Sequence, residues 1–444
     1  MVKRIFVIIV VKIVNIFLKM SGKQSGNYLG KLAKKMKVDI LKDFKINCPV
    51  IAVTATNGKT TTNNCISYII KENGKKVVCN HEGNNLETGI ITTLIKNCSL
   101  TGKVKADYIS FEVDESYVPV VFSKIRLDTL IVNNFFRDQL DRNGEVEILI
   151  QKIKRFLATY TGNLILNRDD PNVVRLGKAN PENKNVYYFS VDKYDYATTE
   201  EKEAGEGKFC PYDKTRLQYE YYQYAHIGKF KCPKCGYGDE KIFVQLKNID
   251  VKNGTFELDN EKYKTLSNNI YTMYNFAAAC SVAKIYGLDA KKPIETFKLG
   301  NGRCEEMQIK GISTTINLAK NPTGANVSLR MLNEDKEEKE LLFVLNDNAP
   351  DGFDVSWIWD INFDVQNCTR IITSGQRAYD MAIRIKTSGY DQNKIEPYLD
   401  IEEAIKVLYS NNTKKYVITN YTALQPTRKA LTKFNENNSE IRWE

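Results

Sequence analysis

Near the start of the chain, apolar positions form a run from Ile5 to Val11, resumed after Lys12 at Ile13, Val14, Ile16, Phe17 and Leu18. Lys12 keeps the run short of the ~20 apolar residues that span a bilayer, and no small-residue cleavage site follows it. Two readings stay open: a helix lying on an anionic membrane surface, or an N-terminal helix packed on the next domain with its lysines solvated. A different rhythm begins at Val50-Ile51-Ala52-Val53, an apolar block with the length of a buried strand. Beyond the polar stretch Thr54 to Thr62, Ile66, Ile69 and Ile70 recur at helical spacing up to Lys71, and Gly74 closes the segment. Ile109 to Glu115 predicts a further strand ending in acids, and Leu130-Ile131-Val132 opens another strand–loop segment.

Length turns these elements into more than one domain. At 444 residues the chain exceeds one ordinary core and predicts two or three. An apolar fraction of 42% with 27% charged residues is globular composition, and eleven prolines without a long Gly/Ser tract argue against large disordered regions. The net charge of +10 asks for an anionic partner, for which nucleotide, nucleic acid and membrane surface all qualify. Part of that charge is local. Residues 1–37 carry Lys3, Arg4, Lys12, Lys19, Lys23, Lys31, Lys34, Lys35 and Lys37, with no acid before Asp39. Ten cysteines without an even disulfide framework fit a reducing cytoplasm, and Cys48, Cys65, Cys79, Cys98, Cys280, Cys304 and Cys368 stand alone as small core residues do.

Strand, tight loop and helix is the context that a nucleotide phosphate loop needs. In Thr54-Ala55-Thr56-Asn57-Gly58-Lys59-Thr60-Thr61-Thr62, backbone N–H groups and the helix N-terminus would hold phosphates. Lys59 would reach the β and γ oxygens, and the Thr60 hydroxyl would ligate Mg²⁺. The segment lacks one glycine of the usual pattern, because Ala55 stands in its place. It resembles the shorter loop of the Mur ligase and folylpolyglutamate synthetase superfamily. Glu112 then matches the superfamily's Mg²⁺-binding glutamate, although three acids at a strand end would by themselves more often be a solvated rim. Leu130 to Asn134 with Phe136 to Arg142, Leu166-Asn167-Arg168-Asp169-Asp170-Pro171, Tyr274-Asn275-Phe276-Ala277-Ala278-Ala279 and Gly302-Arg303-Cys304-Glu305 match later superfamily segments in the same order. The resemblance implies an α/β architecture, with a central phosphate-loop ATPase domain on a mostly parallel sheet and a Rossmann-like C-terminal domain. It implies nucleotide contacts from Thr56, Asn57, Gly58, Lys59, Thr60, Thr61, Asn275 and Arg303, with Asn275 facing the adenine.

One insertion narrows the choice. Cys232-Pro233-Lys234-Cys235-Gly236 puts two thiolates on one tight turn, as in a zinc ribbon. Cys210-Pro211-Tyr212-Asp213 offers one more Cys, with Asp213 where a fourth would sit. Cys210, Asp213, Cys232 and Cys235 therefore make a candidate structural Zn²⁺ site. His226 is the other candidate ligand, and a metal-free ribbon packed on Tyr219, Tyr221, Tyr222 and Tyr224 is the alternative. A zinc ribbon within a Mur-type ATPase resembles the MurT family. Asn317 to Asn326, with its Lys320-Asn321-Pro322-Thr323-Gly324, and Asp351-Gly352-Phe353-Asp354 leading to Ser356-Trp357-Ile358-Trp359-Asp360 are similar to MurT segments, as are Ser374 to Arg384 and Asn420 to Leu424. On residue chemistry alone, Trp357 and Trp359 suit a core, and the acids Glu334, Asp335, Glu337, Glu338 and Glu340 a solvated loop.

The chain then divides into a basic segment 1–45, a central ATPase domain 46–300 with the ribbon at 206–240, and a C-terminal domain 301–444. The resemblance implies ATP-dependent amidation of the D-glutamate α-carboxylate in the lipid II stem peptide through an acyl phosphate, at the cytoplasmic face of the membrane. Lys59 and Glu112 would serve the phosphoryl step, and Asp351, Asp354 or Asp360 would orient ammonium and take its proton. A glutaminase commonly needs a Cys nucleophile and a His base, and the only histidines, His81 and His226, have no suitable Cys near them in sequence. A separate glutaminase subunit is therefore expected, and the resemblance implies one of the GatD type. An amino-acid-adding Mur or folylpolyglutamate-type ligase is the main rival. A nucleic-acid-binding ATPase is disfavoured, because the insertion carries many acids, among them Glu200, Glu201, Glu203, Asp239 and Glu240.

Overall fold

The computed structural model describes residues 2–21, 26–37, 39–80, 84–137, 145–201, 206–267, 269–298 and 305–436. Arg303, with Gly302 and Cys304, lies outside the described residues, as do Asp138 to Arg142. The chain forms two compact units. The first is Met1–Phe135, Val146–Glu201 and Gly205–Phe297, and the second is Lys298–Glu444 with Phe136–Glu145 and Lys202–Ala204.

Strand β1 (Val50–Thr54) is buried at every position, the signature of a parallel strand covered on both faces. With β2 (Val77–Cys79), β3 (Tyr108–Glu112), β4 (Thr129–Val132), β5 (Asn163–Asn167) and β6 (Val186–Val191) it builds most of a nine-stranded sheet. Next along the chain come a separate hairpin, β7 (Gln218–Tyr224) and β8 (Ile227–Lys231), and then β9 (Ile242–Asp250), β10 (Thr255–Leu258) and β11 (Glu261–Lys264). The order is β11-β10-β9-β6-β5-β4-β1-β3-β2, parallel from β2 to β9 and antiparallel at β10 and β11. The chain runs to one side of β1 for β3 and β2 and to the other side for β4. The strand order therefore reverses at β1, and in open parallel sheets ligands bind beyond the carboxyl ends at such a reversal. Register places Glu112 beside Val53 and Val132 beside Thr54, so β1, β3 and β4 all end at that edge.

The N-terminal segment does not stand apart. Helix α1 (Val2–Met20) inserts Val7, Ile8 and Val11 into the core of the first unit, and helix α2 (Tyr28–Met36) adds Leu29 and Ala33. Gly30 lets α2 touch the helix Glu87–Asn97, since a Cβ there would fall 1.8 Å from the Thr88 carbonyl oxygen. The helix Ile270–Tyr286 is buried almost all round, starts on the Asn269 side chain and stops at Gly287 with φ +64°.

The second unit carries a six-stranded sheet of β12 (Glu305–Ile309), β13 (Ile312–Leu318), β14 (Lys339–Val344), β15 (Cys368–Ser374), β16 (Ile395–Tyr398) and β17 (Lys414–Thr419). Its order is β12-β13-β17-β14-β15-β16, parallel except at β12. Helices Pro322–Glu334 and Ala378–Thr387 cover one face, and Ile401–Leu408 and Tyr421–Glu436 cover the other. The acid run expected as a solvated loop is exposed at Glu337 and Glu338 and is corrected at Asp335 and Glu340. Glu340 is buried in β14, where Lys415 Nζ on β17 reaches its Oε2 at 2.7 Å and Arg370 on β15 donates to both of its oxygens at 3.0 Å. Although burial pushes the Glu340 carboxyl up, Arg370 and Lys415 hold it below the usual glutamate range. Asp335 accepts from Lys414 at 2.7 Å and from the Tyr416 hydroxyl at 2.8 Å. Register sets Glu340 opposite Lys415, so the charges meet across strands far apart in sequence.

Candidate active site

At the end of β1, residues 55–58 turn the chain into helix α3 (Lys59–Glu72). Gly58 makes the turn at φ +84°, and a Cβ on it would fall 2.4 Å from Asn275 Oδ1, so conformation and contact both exclude a side chain. Ala55 is not among the residues of positive φ, which is why the glycine usual at that place can be dispensed with. The loop is held from the end of β4. Thr56 N–H donates to the Asn134 carbonyl at 3.1 Å, and Asn57 N–H donates to Asn134 Oδ1 at 2.9 Å. Asn134 Nδ2 returns a bond to the Asn57 carbonyl at 2.9 Å. Behind the loop, Asn133 Nδ2 donates to Thr62 Oγ1 at 2.8 Å, and that hydroxyl donates to Asn275 Oδ1 at 3.0 Å.

Thr56 and Asn57, expected to contact the nucleotide, give backbone N–H groups to Asn134, and the chain continues through Gly58, Lys59, Thr60 and Thr61. These open the helix, and Thr62 N–H makes its first bond back, to Gly58. Asn275, expected against an adenine, turns its amide oxygen to Thr62 and backs the loop. Asn133 and Asn134 carried no assigned role in the sequence. Their one local signal is a pair of turn-prone amides directly after a buried strand.

The three acids after β3 do not form a solvated rim. Glu112, Asp114 and Glu115 are 0%, 8% and 5% exposed. Asn80 fixes the backbone of Glu112, accepting from its N–H at 2.9 Å and donating to its carbonyl at 2.8 Å. Glu115 meets Lys59, with Nζ 3.2 Å from Oε2, while the same ammonium also bonds the Ala55 carbonyl and lies 3.4 Å from that of Thr56. Lys59 therefore opens α3 beside Glu115, with Glu112 at the end of the adjacent strand β3. The set suits a phosphate, and Glu112 with the Thr60 hydroxyl supplies oxygen donors of the kind a hard divalent cation takes.

Asp169 and Asp170 link this unit internally. Asp169 is fully buried and accepts from Ser190 Oγ at 2.8 Å, Val191 N–H at 3.0 Å and Tyr274 OH at 2.9 Å; burial pushes its carboxyl up. Asp170 caps the short helix Pro171–Val174, accepts from Phe135 N–H at 2.9 Å and lies 3.5 Å from His226 Nε2. His226 thus stands by Asp170 and is not among the residues grouped with the cysteines. Cys210, Asp213, Cys232 and Cys235 bring four ligand atoms within 4.8 Å of one another. Cys210 Sγ stands 3.5 Å from Cys235 Sγ, and Cys232 Sγ stands 3.5 Å from Asp213 Oδ2. A tetrahedral ion with bonds of about 2.3 Å to sulfur and 2.0 Å to oxygen has edges of roughly 3.5–3.8 Å. The four residues fit such an ion.

In the second unit, a polar cluster gathers at the carboxyl ends of β14, β15 and β17. Asn346 N–H donates to Asn420 Oδ1 at 3.1 Å, and Asn420 Nδ2 donates to the Asn346 carbonyl at 2.6 Å. Gln376 N–H donates to Asn346 Oδ1 at 3.1 Å, and Asn348 Nδ2 donates to Thr422 Oγ1 at 2.8 Å. Asp351 belongs to this cluster. It is buried, accepts from Thr422 N–H at 2.9 Å and from the Thr422 hydroxyl, and burial pushes its carboxyl up. Asp354 is exposed and spends an oxygen on Ser356 N–H, which holds its carboxyl down. Asp360 lies 3.6 Å from Arg137 within the same unit. Trp357 packs against the core as expected, but Trp359 is 52% exposed beneath Arg384. Asn321 caps the helix Pro322–Glu334 through Gly324 N–H at 2.9 Å.

Comparison with known proteins covers both units. A model of the Mur ligase middle domain matches residues 53–232, and one of the MurT ligase C-terminal region matches residues 318–424. The chain is 33% identical over 413 residues to the lipid II isoglutaminyl synthase (glutamine-hydrolyzing) subunit MurT of Staphylococcus aureus (strain COL), covering 91% of this chain and 92% of that one. Among solved structures, a pseudomurein peptide ligase type C from Methanothermus fervidus superposes with a TM-score of 0.69 at 21% identity, covering 91% of this chain and 83% of that one. MurF ligase from Thermotoga maritima, solved in complex with ADP, gives a TM-score of 0.62 at 17% identity over 94% and 85% of the two chains. At those identities the likeness to the two structures is one of fold.

The Asn134 clamp is testable by itself. Asn134→Ala removes two side-chain bonds that shape the loop, each worth about 1 kcal/mol. Affinity for ADP by calorimetry is expected to fall about tenfold or more, with the far-ultraviolet circular dichroism unchanged. Parent-like affinity would show that the loop keeps its shape without Asn134.

Proposed function

The chain belongs to the MurT family, the Mur ligase-like subunits of lipid II isoglutaminyl synthase, and on that premise we propose that it uses ATP to convert the D-glutamate α-carboxylate of the lipid II stem peptide to D-isoglutamine, with ammonia from a GatD-type glutaminase partner. One observation carries the reading: a phosphate loop with its lysine and buried carboxylates, in a chain related to a MurT subunit along 91% of its length. It is a ligase of peptidoglycan biosynthesis, acting at the inner face of the membrane, where a lipid-linked substrate resides.

The reaction proceeds in two steps. A carboxylate oxygen attacks the γ-phosphorus; the new O–P bond forms as the bond to the β-phosphate oxygen breaks, leaving an acyl phosphate and ADP. Lys59 exchanges Glu115 for the phosphate oxygens, and the N–H groups opening α3 neutralise the developing charge. Mg²⁺ held by Thr60 and Glu112 would supply further neutralisation of the β- and γ-phosphates. Ammonia then attacks the acyl carbon and inorganic phosphate leaves. Ammonia is mostly protonated at neutral pH, so a carboxylate must hold ammonium and accept its proton. We assign this to Asp351 ahead of Asp354 and Asp360. Asp351 is buried among polar groups at strand ends, whereas Asp354 caps an exposed turn and Asp360 faces a cation that would repel ammonium. In this reading glutamine hydrolysis falls to the partner subunit.

The 206–240 insertion is a zinc ribbon in this reading, and the second unit is the Rossmann-like C-terminal domain. Zn²⁺ on Cys210, Asp213, Cys232 and Cys235 is structural, because four protein ligands leave no position for a reactive water.

Lipid II incubated with the chain, MgATP and ammonium chloride is expected to show, by mass spectrometry, exchange of one carboxyl hydroxyl for an amine. Lys59→Ala should slow this about a thousandfold. Amino-acid-dependent ATP turnover without amidation would replace this reading with that of an amino-acid-adding ligase. In the same assay Asp351→Asn should lose about a hundredfold or more with ammonium, yet retain ATP-dependent hydroxamate formation with hydroxylamine, which is largely unprotonated at neutral pH. Equal loss with both nucleophiles would remove Asp351 from the proton transfer. Elemental analysis is expected to find one zinc per chain, lost in Cys232→Ser and Asp213→Ala together with a lower unfolding temperature. Zinc-free protein of unchanged stability would leave the ribbon held by packing alone.

A further inference from the structure

Helix α1 is apolar on two opposite faces. Val7, Ile8 and Val11 lie in the first core, with Val14 and Leu18 packed against it. Phe6, Ile9, Ile13, Ile16, Phe17 and Met20 are between 37% and 79% exposed. Their spacing keeps these six on one stripe about 100° wide, opposite the packed face and running roughly 21 Å along the helix. The fold requires only the inner face. A contiguous exposed apolar stripe marks a surface that meets a partner.

Charge identifies the partner. Residues 1–37 hold nine basic side chains and no acid. Four of the nine turn inward: Arg4 onto the Asp43 carbonyl, Lys12 onto the Cys98 carbonyl at 2.7 Å, Lys34 onto Glu87 and Lys37 onto Asp43. Lys3 and Lys19 are exposed at the borders of the stripe, and α2 adds exposed Lys31, Lys35 and Tyr28. No helix among the described residues is long and apolar enough to cross a membrane. An apolar stripe bordered by lysines, on a helix that does not span, is the pattern of a helix lying in the plane of an anionic bilayer. We propose that α1 docks the chain on an anionic lipid surface, with Phe6, Ile9, Ile13, Ile16, Phe17 and Met20 in the acyl boundary and Lys3 and Lys19 at the headgroups. Because the inner face is locked into the core, the helix cannot roll, and the bound surface always meets the same side of the first unit. The inference deepens the amidation reading, on which it rests for the lipid-linked substrate but not for the surface itself.

The test is co-sedimentation of the full chain with phosphatidylcholine vesicles with and without phosphatidylglycerol. The chain is expected to bind the anionic vesicles and to release them as salt rises. Ile13→Ser with Phe17→Ser should lower vesicle binding about tenfold or more at an unchanged unfolding temperature. Lys3→Glu with Lys19→Glu should weaken binding and flatten its salt dependence. Absence of binding to anionic vesicles overturns the proposal, as does parent-like binding by the Ser double variant. So does a Ser double variant that keeps vesicle binding but no longer assembles with the glutaminase subunit or a second copy, since the stripe would then serve a protein. Amidation of detergent-dispersed substrate should be equal in parent and variants. A parent chain that amidates but does not bind anionic vesicles sinks the docking surface alone, and a parent chain that binds vesicles without amidating sinks the functional reading alone.

Discussion

The turn at Gly58 is the constraint on which the nucleotide site depends. A strand buried on both faces must become a helix within four residues, and the reversal needs a residue at positive φ with no side chain toward Asn275. Such a turn is not stable by itself. Asn134 holds its outer edge through three hydrogen bonds, and Asn133 with Asn275 fixes Thr62 behind it. Amides suit this work because each offers donor and acceptor together and stays neutral beside a phosphate. Lys59 is the buried cation of the site, and Glu115 keeps it paired where an isolated ammonium would be costly.

The insertion connects to the same constraint. The hairpin of β7 and β8 carries His226 at its turn, 3.5 Å from Asp170. Asp170 accepts the N–H of Phe135, the residue after Asn134. Tyr237 OH donates to the Pro171 carbonyl, and Arg168 Nη1 donates to the Gly238 carbonyl at 2.9 Å. Bonds therefore run from Tyr237 and Gly238 to the turn 168–171, and from Asp170 to the residue next to Asn134.

What could be read from the sequence was what is local. The strand, loop and helix around Lys59 and the Cys-x-x-Cys turn are set by residues a few positions apart, and the structure has both. Asp213 and His226 could not be separated in the sequence because which one stands by the cysteines depends on how the folded chain turns. The Asn134 clamp and the Glu115–Lys59 pair join residues 77 and 56 positions apart, and no spacing rule marks such pairs. Part of the acid run was misread for the same reason. Glu340 looked solvated until strand register set Lys415 opposite it, 75 positions away. In α1 an apolar run admitted both a packed and an exposed helix, and the molecule uses one face for each.

The central claim is that this chain activates a carboxylate by transferring phosphate to it. The most direct measurement uses lipid II whose D-glutamate α-carboxylate carries oxygen-18 on both oxygens, with the chain, MgATP and ammonium, followed by mass analysis of the inorganic phosphate released. An acyl phosphate requires one labelled oxygen to leave with the phosphate and one to remain in the amide. Phosphate free of label, alongside amidated product, would contradict the account.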